Sequence, residues 1–265
     1  MKQLNINGNF VIDWAGNNNQ SLIFVHAFPM SHKMWKEQVQ YFKDKYRVIT
    51  FDNKGFGNSE KEEGNYTIDA YSDDVLNIIE YLRLNKPIIC GLSMGGYTTL
   101  RTLEKAQNIF KAAILCDTKS EADGNEAKLK RAEQIKQIKS GGREDFIKSF
   151  IENSISTKSL NVTDKAIYNK IYNIINEQSD YTICSALMTL GMRTDTTGYL
   201  DKINIPVLII VGDDDKLTPP ENSFNMNNKI TGSLIATMQG CGHFTNIEDS
   251  EKFNKTIDQF LNKIT

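Results

Sequence analysis

The sequence predicts an α/β fold: a mainly parallel sheet flanked by helices on both faces and interrupted by one helical insertion. Three observations carry this. Short continuous apolar runs, SLIFVH at 21–26, RVITF at 47–51, PIIC at 87–90, AAILC at 112–116 and VLIIV at 207–211, have strand length without polar alternation, as strands covered on both faces do. Helical stretches separate most of them, which is the rhythm of parallel crossovers. From about Thr118 to Gly198 the strand signal disappears while helical patterns continue.

Taken in order, QLNI and FVIDW, separated by Asn7, Gly8 and Asn9, read as a hairpin. SLIFVH is followed by the loop AFPMSHK and a helix from about Trp35 to Phe42. RVITF leads through the glycine-rich DNKGFGNS to a helix from about Ile68 to Leu82, with Asp69, Asp73 and Asp74 near its positive end. PIIC enters CGLSMGGY, and a helix follows from Gly95 to about Glu104. AAILC, VLIIV and SLIATM at 233–238 complete the strands, with helices after the last two. Within the insertion, EAKLKRAEQIKQIKS, REDFIKSFIENSI, DKAIYNKIYNIINEQS and YTICSALMTLG are helical, and Gly141 and Gly142 part the first two. The expected division is an α/β core of 1–117 and 199–265, with 118–198 as a helical cap over the carboxyl edge of the sheet.

A chain of 265 residues can bury one sizeable core. Its net charge of −2, with acids and bases interspersed, offers no long-range attraction to nucleic acid or an anionic membrane. The longest apolar run, IPVLIIVG, is far too short for a membrane span, and the opening MKQLNINGNFVIDWAG lacks the apolar core of a signal peptide. Cys90, Cys116, Cys184 and Cys241 form no C-x-x-C pair and read as small buried residues of a reduced, cytoplasmic protein. The three histidines have no paired ligand spacing, so no metal is expected.

CGLSMGGY places Ser93 between Gly91 and Gly95 where a strand meets a helix. That context suits a nucleophile: a strained turn lifts the hydroxyl off the sheet edge, and glycines two before and two after let backbones pass closely. The turn also aims the Met94 N–H at a place where negative charge is favoured. A serine hydroxyl needs a base, and the base needs an orienting acid. Of His26, His32 and His243, His243 lies in QGCGHF after the last strand, where a loop reaches the elbow. For the acid, GDDDKLTPP after VLIIV offers Asp213, Asp214 and Asp215, and ILCDTK offers Asp117. Spacing alone does not choose among them. A second backbone donor for an oxyanion is expected from HAFPMS, where Phe28 has an N–H and Pro29 has none, with His26 bracing the loop.

With these motifs the chain resembles the α/β-hydrolase superfamily, especially the compact esterases and lactonases akin to 3-oxoadipate enol-lactonase. HAFPMS is similar to that family's oxyanion loop, GLSMGG to its nucleophile elbow, VGDDDKLTPP to its acid loop, GCGHF to its histidine loop, and CDTKSEAD to the start of its cap. The resemblance implies Ser93 as nucleophile, His243 as base and then acid, Asp215 (the last residue of G-x-x-D) as orienter, and the Phe28 and Met94 amides as oxyanion hole. It implies a small ester or lactone as substrate and no cofactor. The same residues would also serve a cofactor-independent perhydrolase or haloperoxidase, and a noncatalytic binding module on the same fold is the remaining alternative. Trp35, Met188 and Met192, beside Phe28 and Met94, are candidates for apolar pocket lining. Ala27 stands where the family commonly has glycine, and DNKGFGNS has Lys54 for arginine and Phe56 where histidine is frequent. With no arginine in the acid or oxyanion loops, a small, uncharged or weakly charged, partly apolar substrate is expected.

Overall fold

The computed structural model describes residues 1–16, 20–61, 66–163 and 165–264. Its strands are β1 (Lys2–Ile6), β2 (Asn9–Asp13), β3 (Ser21–Val25), β4 (Arg47–Phe51), β5 (Ile88–Leu92), β6 (Ala112–Cys116), β7 (Val207–Gly212) and β8 (Leu234–Met238). They form one sheet in the order β1-β2-β4-β3-β5-β6-β7-β8. The β1–β2 and β2–β4 pairs are antiparallel, and every other pair is parallel.

The continuous apolar runs follow from this arrangement. Every residue of β3, β5, β6 and β7 is buried, because both faces are covered. Alternate side chains enter different cores: Leu22 and Phe24 pack on one face, Ile23 and Val25 on the other. The edge strand β8 is only partly buried.

The helices are α1 (Lys36–Phe42), α2 (Ile68–Tyr81), α3 (Met94–Ala106), α4 (Asn125–Lys139), α5 (Arg143–Ser154), α6 (Thr157–Asn161), α7 (Ala166–Asn176), α8 (Asp180–Gly191), α9 (Pro220–Lys229), α10 (Thr245–Glu248) and α11 (Ser250–Lys263). Helices α4–α8 lie between β6 and β7, where the sequence loses its strand signal. The short α6 has no apolar period to betray it; its signal is the Ser156 cap, whose hydroxyl accepts from the Ser159 N–H at 3.1 Å. Asp164, the first residue of the DKAIYNK pattern, lies outside the described residues.

Polar contacts seat the inserted helices on the core. Thr182 Oγ1 donates to the Gly55 carbonyl at 2.8 Å, Gln178 Oε1 accepts from the Gly57 N–H at 2.9 Å, and the His243 N–H donates to the Ser154 carbonyl at 2.6 Å. Apolar burial adds to this: Ile183, Leu187 and Leu190 of α8 are buried, each worth roughly 1.5–3 kcal/mol relative to exposure. In α4, by contrast, only Ile138 is buried. The insertion therefore presents one strongly charged helix next to the carboxyl ends of the strands.

Candidate active site

Ser93 sits between β5 and α3 at φ 54°, ψ −111°, in the left-handed half of backbone space that a side chain rarely occupies. The neighbouring glycines explain how the turn closes. A Cβ on Gly91 would stand 2.2 Å from the Gly95 carbonyl oxygen, and one on Gly95 would stand 2.1 Å from that of Val25. The elbow is pinned by the Ser93 N–H to the Cys116 carbonyl at 2.9 Å and by Thr118 Oγ1 donating to the Ser93 carbonyl at 2.9 Å. Ser93 is 9% exposed, and its opening is a cavity of about 230 Å³ that His243 and Phe28 also line. That volume exceeds the roughly 150 Å³ of an engineered cavity that admits benzene, so a small organic substrate fits.

His243 is buried, and its Nδ1 lies 2.8 Å from Asp215 Oδ2. The loop after β7 separates the three adjacent aspartates sharply. Asp213 Oδ1 accepts from the Gly240 N–H at 2.7 Å, and Asp214 Oδ2 accepts from the Thr157 N–H at 2.6 Å. Only the third reaches the histidine. Asp215 Oδ1 accepts from the Leu217 and Thr218 N–H groups at 2.9 and 3.0 Å, and Oδ2 also accepts from Thr218 Oγ1 at 2.7 Å. Burial opposes ionisation, but His243 and these donors together hold the Asp215 carboxyl below the ordinary range. Thr218 is a residue that motif reading overlooks; its signal is a threonine three residues after an aspartate, the spacing of a local side-chain turn.

On the opposite side lies the loop after β3. Among the described residues, neither the Phe28 N–H nor the Met94 N–H donates a hydrogen bond. His26 braces this loop from beneath: its Nε2 accepts from the Asn53 N–H at 3.0 Å, so Nδ1 donates to the Ala27 carbonyl at 2.9 Å. Burial lowers its pKa, which keeps the ring neutral and this hydrogen-bond pattern intact. The Phe56 ring meets it edge-on at 5.0 Å. His32 is engaged elsewhere, 2.8 Å from Asp52.

The family model described as alpha/beta hydrolase fold matches residues 20–250 of this chain. The chain belongs to the α/β-hydrolase fold family. It is 26% identical over 249 residues to 3-oxoadipate enol-lactonase 2 of Acinetobacter baylyi, spanning 92% of this chain and 89% of that protein. The non-heme chloroperoxidase CPO-A1 of Kitasatospora aureofaciens is 25% identical over 272 residues, with 96% of each chain covered. Among solved structures, a thermophilic esterase from Thermogutta terrifontis, determined with malate bound, superposes with a TM-score of 0.92 at 27% identity, covering 100% of this chain and 99% of that one.

Three residues expected to line the pocket of this α/β hydrolase lie elsewhere. Trp35 is fully buried in the core, its ring 4.8 Å from Phe24 and 6.3 Å from Phe253. Met188 and Met192 are 46% and 55% exposed. Helix α8 turns Leu187 and Leu190, an i, i+3 pair, to the cavity, which sends the neighbouring Met188 outward. Cys241 is a packed small residue, its thiol pushed up to about 12 by burial. The pocket is partly apolar, through Phe28, Phe150, Leu187, Leu190 and Leu217, and it is charged as well. Lys54 is ion-paired to Asp74 at 3.0 Å and does not reach the cavity, so its identity bears on α2 rather than on substrate charge. The charges come instead from the insertion and from the loops after β6 and β7: Lys119, Lys130, Arg131, Lys216 and Asp123 all line the cavity.

Asp117, the other candidate acid, is fully buried at the end of β6. Its Oδ1 accepts from the Gly212 N–H at 2.9 Å, and its Oδ2 shares a hydrogen bond with Thr245 Oγ1 at 2.5 Å, the hydroxyl accepting when the carboxyl is protonated. It therefore ties the start of the Asp215 loop to the segment just after His243. Burial, and then the nearby charge of Asp215, raise its pKa well above the usual carboxylate range. The folded protein thus holds a proton that the unfolded chain releases above about pH 4, and stability from this group declines as pH rises past that point. Asp117→Asn can keep both hydrogen bonds, its oxygen facing Gly212 and its amide facing Thr245. The difference in melting temperature between Asp117→Asn and the parent should therefore move in favour of Asn between pH 4 and 8. A flat difference would show that the carboxyl is not held protonated. Asp117→Ala should destabilise at every pH, by roughly 1–3 kcal/mol for each orphaned donor.

Proposed function

We propose that this protein is a serine hydrolase that cleaves a small carboxylic ester or lactone through an acyl-enzyme intermediate. The observation that carries the reading is the meeting of a strained Ser93 and an Asp215-bound His243 on one cavity. Because Nδ1 of His243 is committed to Asp215, Nε2 is the nitrogen left for Ser93. Ser93 Oγ attacks the carbonyl carbon as Nε2 takes its proton, and the charge on the carbonyl oxygen is received by the Phe28 and Met94 N–H groups. Collapse breaks the bond to the alkoxide, which takes the proton from Nε2. Water then gives its proton to Nε2 and attacks the acyl carbon, and Ser93 departs with that proton as the acid is released.

A neutral fluorophosphonate followed by peptide mapping tests the assignment. Labelling at Ser93, lost on prior unfolding, is expected; labelling elsewhere, or none while p-nitrophenyl esters are turned over, would overturn it. The likeness to a chloroperoxidase supports a second reaction of the same residues, in which peroxide replaces water at the acyl carbon and a peracid leaves. Measuring peracid formation against ester hydrolysis on one acyl donor separates the two.

A further inference from the structure

Three backbones meet beside His243, and one of them belongs to the insertion. They are the loop after β7 (212–215), the histidine loop (240–243) and the turn between α5 and α6 (154–157). Their packing is close. A Cβ on Gly212 would stand 2.1 Å from the Gly242 carbonyl oxygen, and one on Gly242 would stand 2.6 Å from the Ser154 carbonyl oxygen and 2.7 Å from the Ser156 nitrogen. Hydrogen bonds tie each to the others. The Asp214 N–H donates to the Cys241 carbonyl at 3.0 Å, the His243 N–H to the Ser154 carbonyl at 2.6 Å, and the Thr157 N–H to Asp214 Oδ2 at 2.6 Å.

Glu248, at the end of α10, closes this arrangement. Its Oε1 accepts from the Gly242 N–H at 2.8 Å, one residue before the histidine, and its Oε2 accepts from the Ser156 N–H at 2.9 Å and from Ser159 Oγ at 2.7 Å. Among the described residues it makes no ion pair. A half-buried carboxylate whose two oxygens each hold a backbone N–H from a different segment is a bridge, and the charge strengthens both spans. None of Ser154, Ser156 and Glu248 lines the cavity over Ser93, so an effect of theirs on turnover has to run through His243 rather than through contact with substrate.

We propose that Glu248 is a positioning residue: by clasping the α5–α6 turn to the histidine loop it sets His243 against Asp215 and Ser93, which makes the insertion part of the catalytic frame as well as its cover. This rests on the hydrolase reading above. Asp215 holds the ring at Nδ1, but the backbone from which the ring projects is fixed by the N–H bonds of Gly242 and His243. Once that backbone loosens, Nε2 swings off Ser93, and a misplacement of about 1 Å costs on the order of 100-fold in rate.

Glu248→Gln keeps the size of the side chain but leaves one acceptor oxygen. If that oxygen takes the Ser156 N–H, the amide meets the Gly242 N–H donor to donor; in the other orientation the conflict moves to Ser156, so one span is lost either way. At a temperature where the variant is fully folded, kcat should fall about 10–100-fold with KM within about threefold. Asp249→Asn is the control, since its oxygen can still accept from the Lys252 N–H, and it should leave kcat within about threefold. A second variant opens the clasp from the insertion. Ser156 has φ −64°, ψ 155° and Ile155 has φ −96°, ψ 155°, a backbone that proline and the residue before it both accept. Ser156→Pro therefore replaces the N–H by Cδ, and should lose kcat by a similar factor against Ser156→Ala, which keeps the N–H.

In a His243→Ala background, Glu248→Gln should change the residual rate by less than about twofold, because the residue through which it acts is gone. Unchanged kcat in folded Glu248→Gln and Ser156→Pro, or a loss that persists in full without His243, overturns the proposal. The low-field proton resonance of His243 Nδ1, identified by its absence from His243→Ala, reads the same geometry without turnover: it should shift in Glu248→Gln and Ser156→Pro and stay in place in Asp249→Asn. That shift without any esterase activity or fluorophosphonate labelling would remove the hydrolase reading while keeping the clasp; an unmoved resonance removes the clasp.

Discussion

Ser93→Ala is expected to fold like the parent and to lose at least ~1000-fold in kcat on any ester the parent turns over. Among the described residues, the Ser93 side chain makes no hydrogen bond. The elbow is held instead through the Ser93 backbone, by the Cys116 carbonyl and the Thr118 hydroxyl. Removing Oγ removes the bond-forming atom and leaves the His243–Asp215 pair and the Phe28 and Met94 amides in place, so only the activity that these can give to a bound water should remain. A variant with near-parental kcat would sink the nucleophile assignment. The same position makes a second point about stability. At φ 54° and ψ −111° a side chain costs of order 1–3 kcal/mol, a cost glycine escapes while losing about 0.5–1 kcal/mol to the entropy of the unfolded chain. Ser93→Gly should therefore be as inactive as Ser93→Ala but melt about 2 °C or more above it, since about 1 kcal/mol moves the melting point of a protein this size by a few degrees. Equal melting points would mean the elbow stores no strain.

How much of this was legible beforehand depended on whether the signal was local. The strands were legible because β3, β5, β6 and β7 are buried on both faces and so read as unbroken apolar runs. The elbow was legible because Gly91 and Gly95 have no room for a Cβ, a backbone constraint that survives in the sequence as a motif. Choosing among Asp213, Asp214 and Asp215 needed the resemblance, since adjacent aspartates differ only in where the loop turns each one. Met188 was misplaced for a related reason: in α8 the cavity side is set by how the helix docks, and Leu187 and Leu190 take it. The charge of the cavity was the least legible feature. KLKRAEQ reads as a solvated, alternating helix surface, and most of α4 is exposed; nothing in its spacing says that Lys130 and Arg131 face Ser93. Lysine in place of arginine at position 54 carries no information about the cavity, because that side chain serves Asp74.

The second large effect is expected at Asp215. Asp215→Asn should lower kcat by about 10⁴-fold, the size of the effect when the corresponding aspartate of a serine protease is changed to asparagine, while Asp213→Asn and Asp214→Asn should change it by less than about threefold. The geometry says which way the amide must turn. Oδ1 faces two backbone donors, the Leu217 and Thr218 N–H groups, so the asparagine oxygen is required there. The NH₂ then occupies the place of Oδ2, where it faces His243 Nδ1 and the Thr218 hydroxyl. The hydroxyl can rotate and accept. His243 can satisfy the new donor only by presenting Nδ1 as an acceptor, which puts its proton on Nε2. In that tautomer Nε2 cannot take the Ser93 proton, so the loss arises in the chemical step, and kcat should fall with little change in KM. Stability carries a separate signature. The parent carboxyl is held below its ordinary pKa in the fold, so its contribution is present above about pH 4 and is lost as pH falls through the lowered value. Asparagine has no such titration. The stability gap between parent and Asp215→Asn should accordingly be widest near neutral pH and narrow progressively in acid. If Asp215→Asn kept most of its turnover while Asp117→Asn, still fully folded, lost its own, the orienting acid would belong at the end of β6 instead.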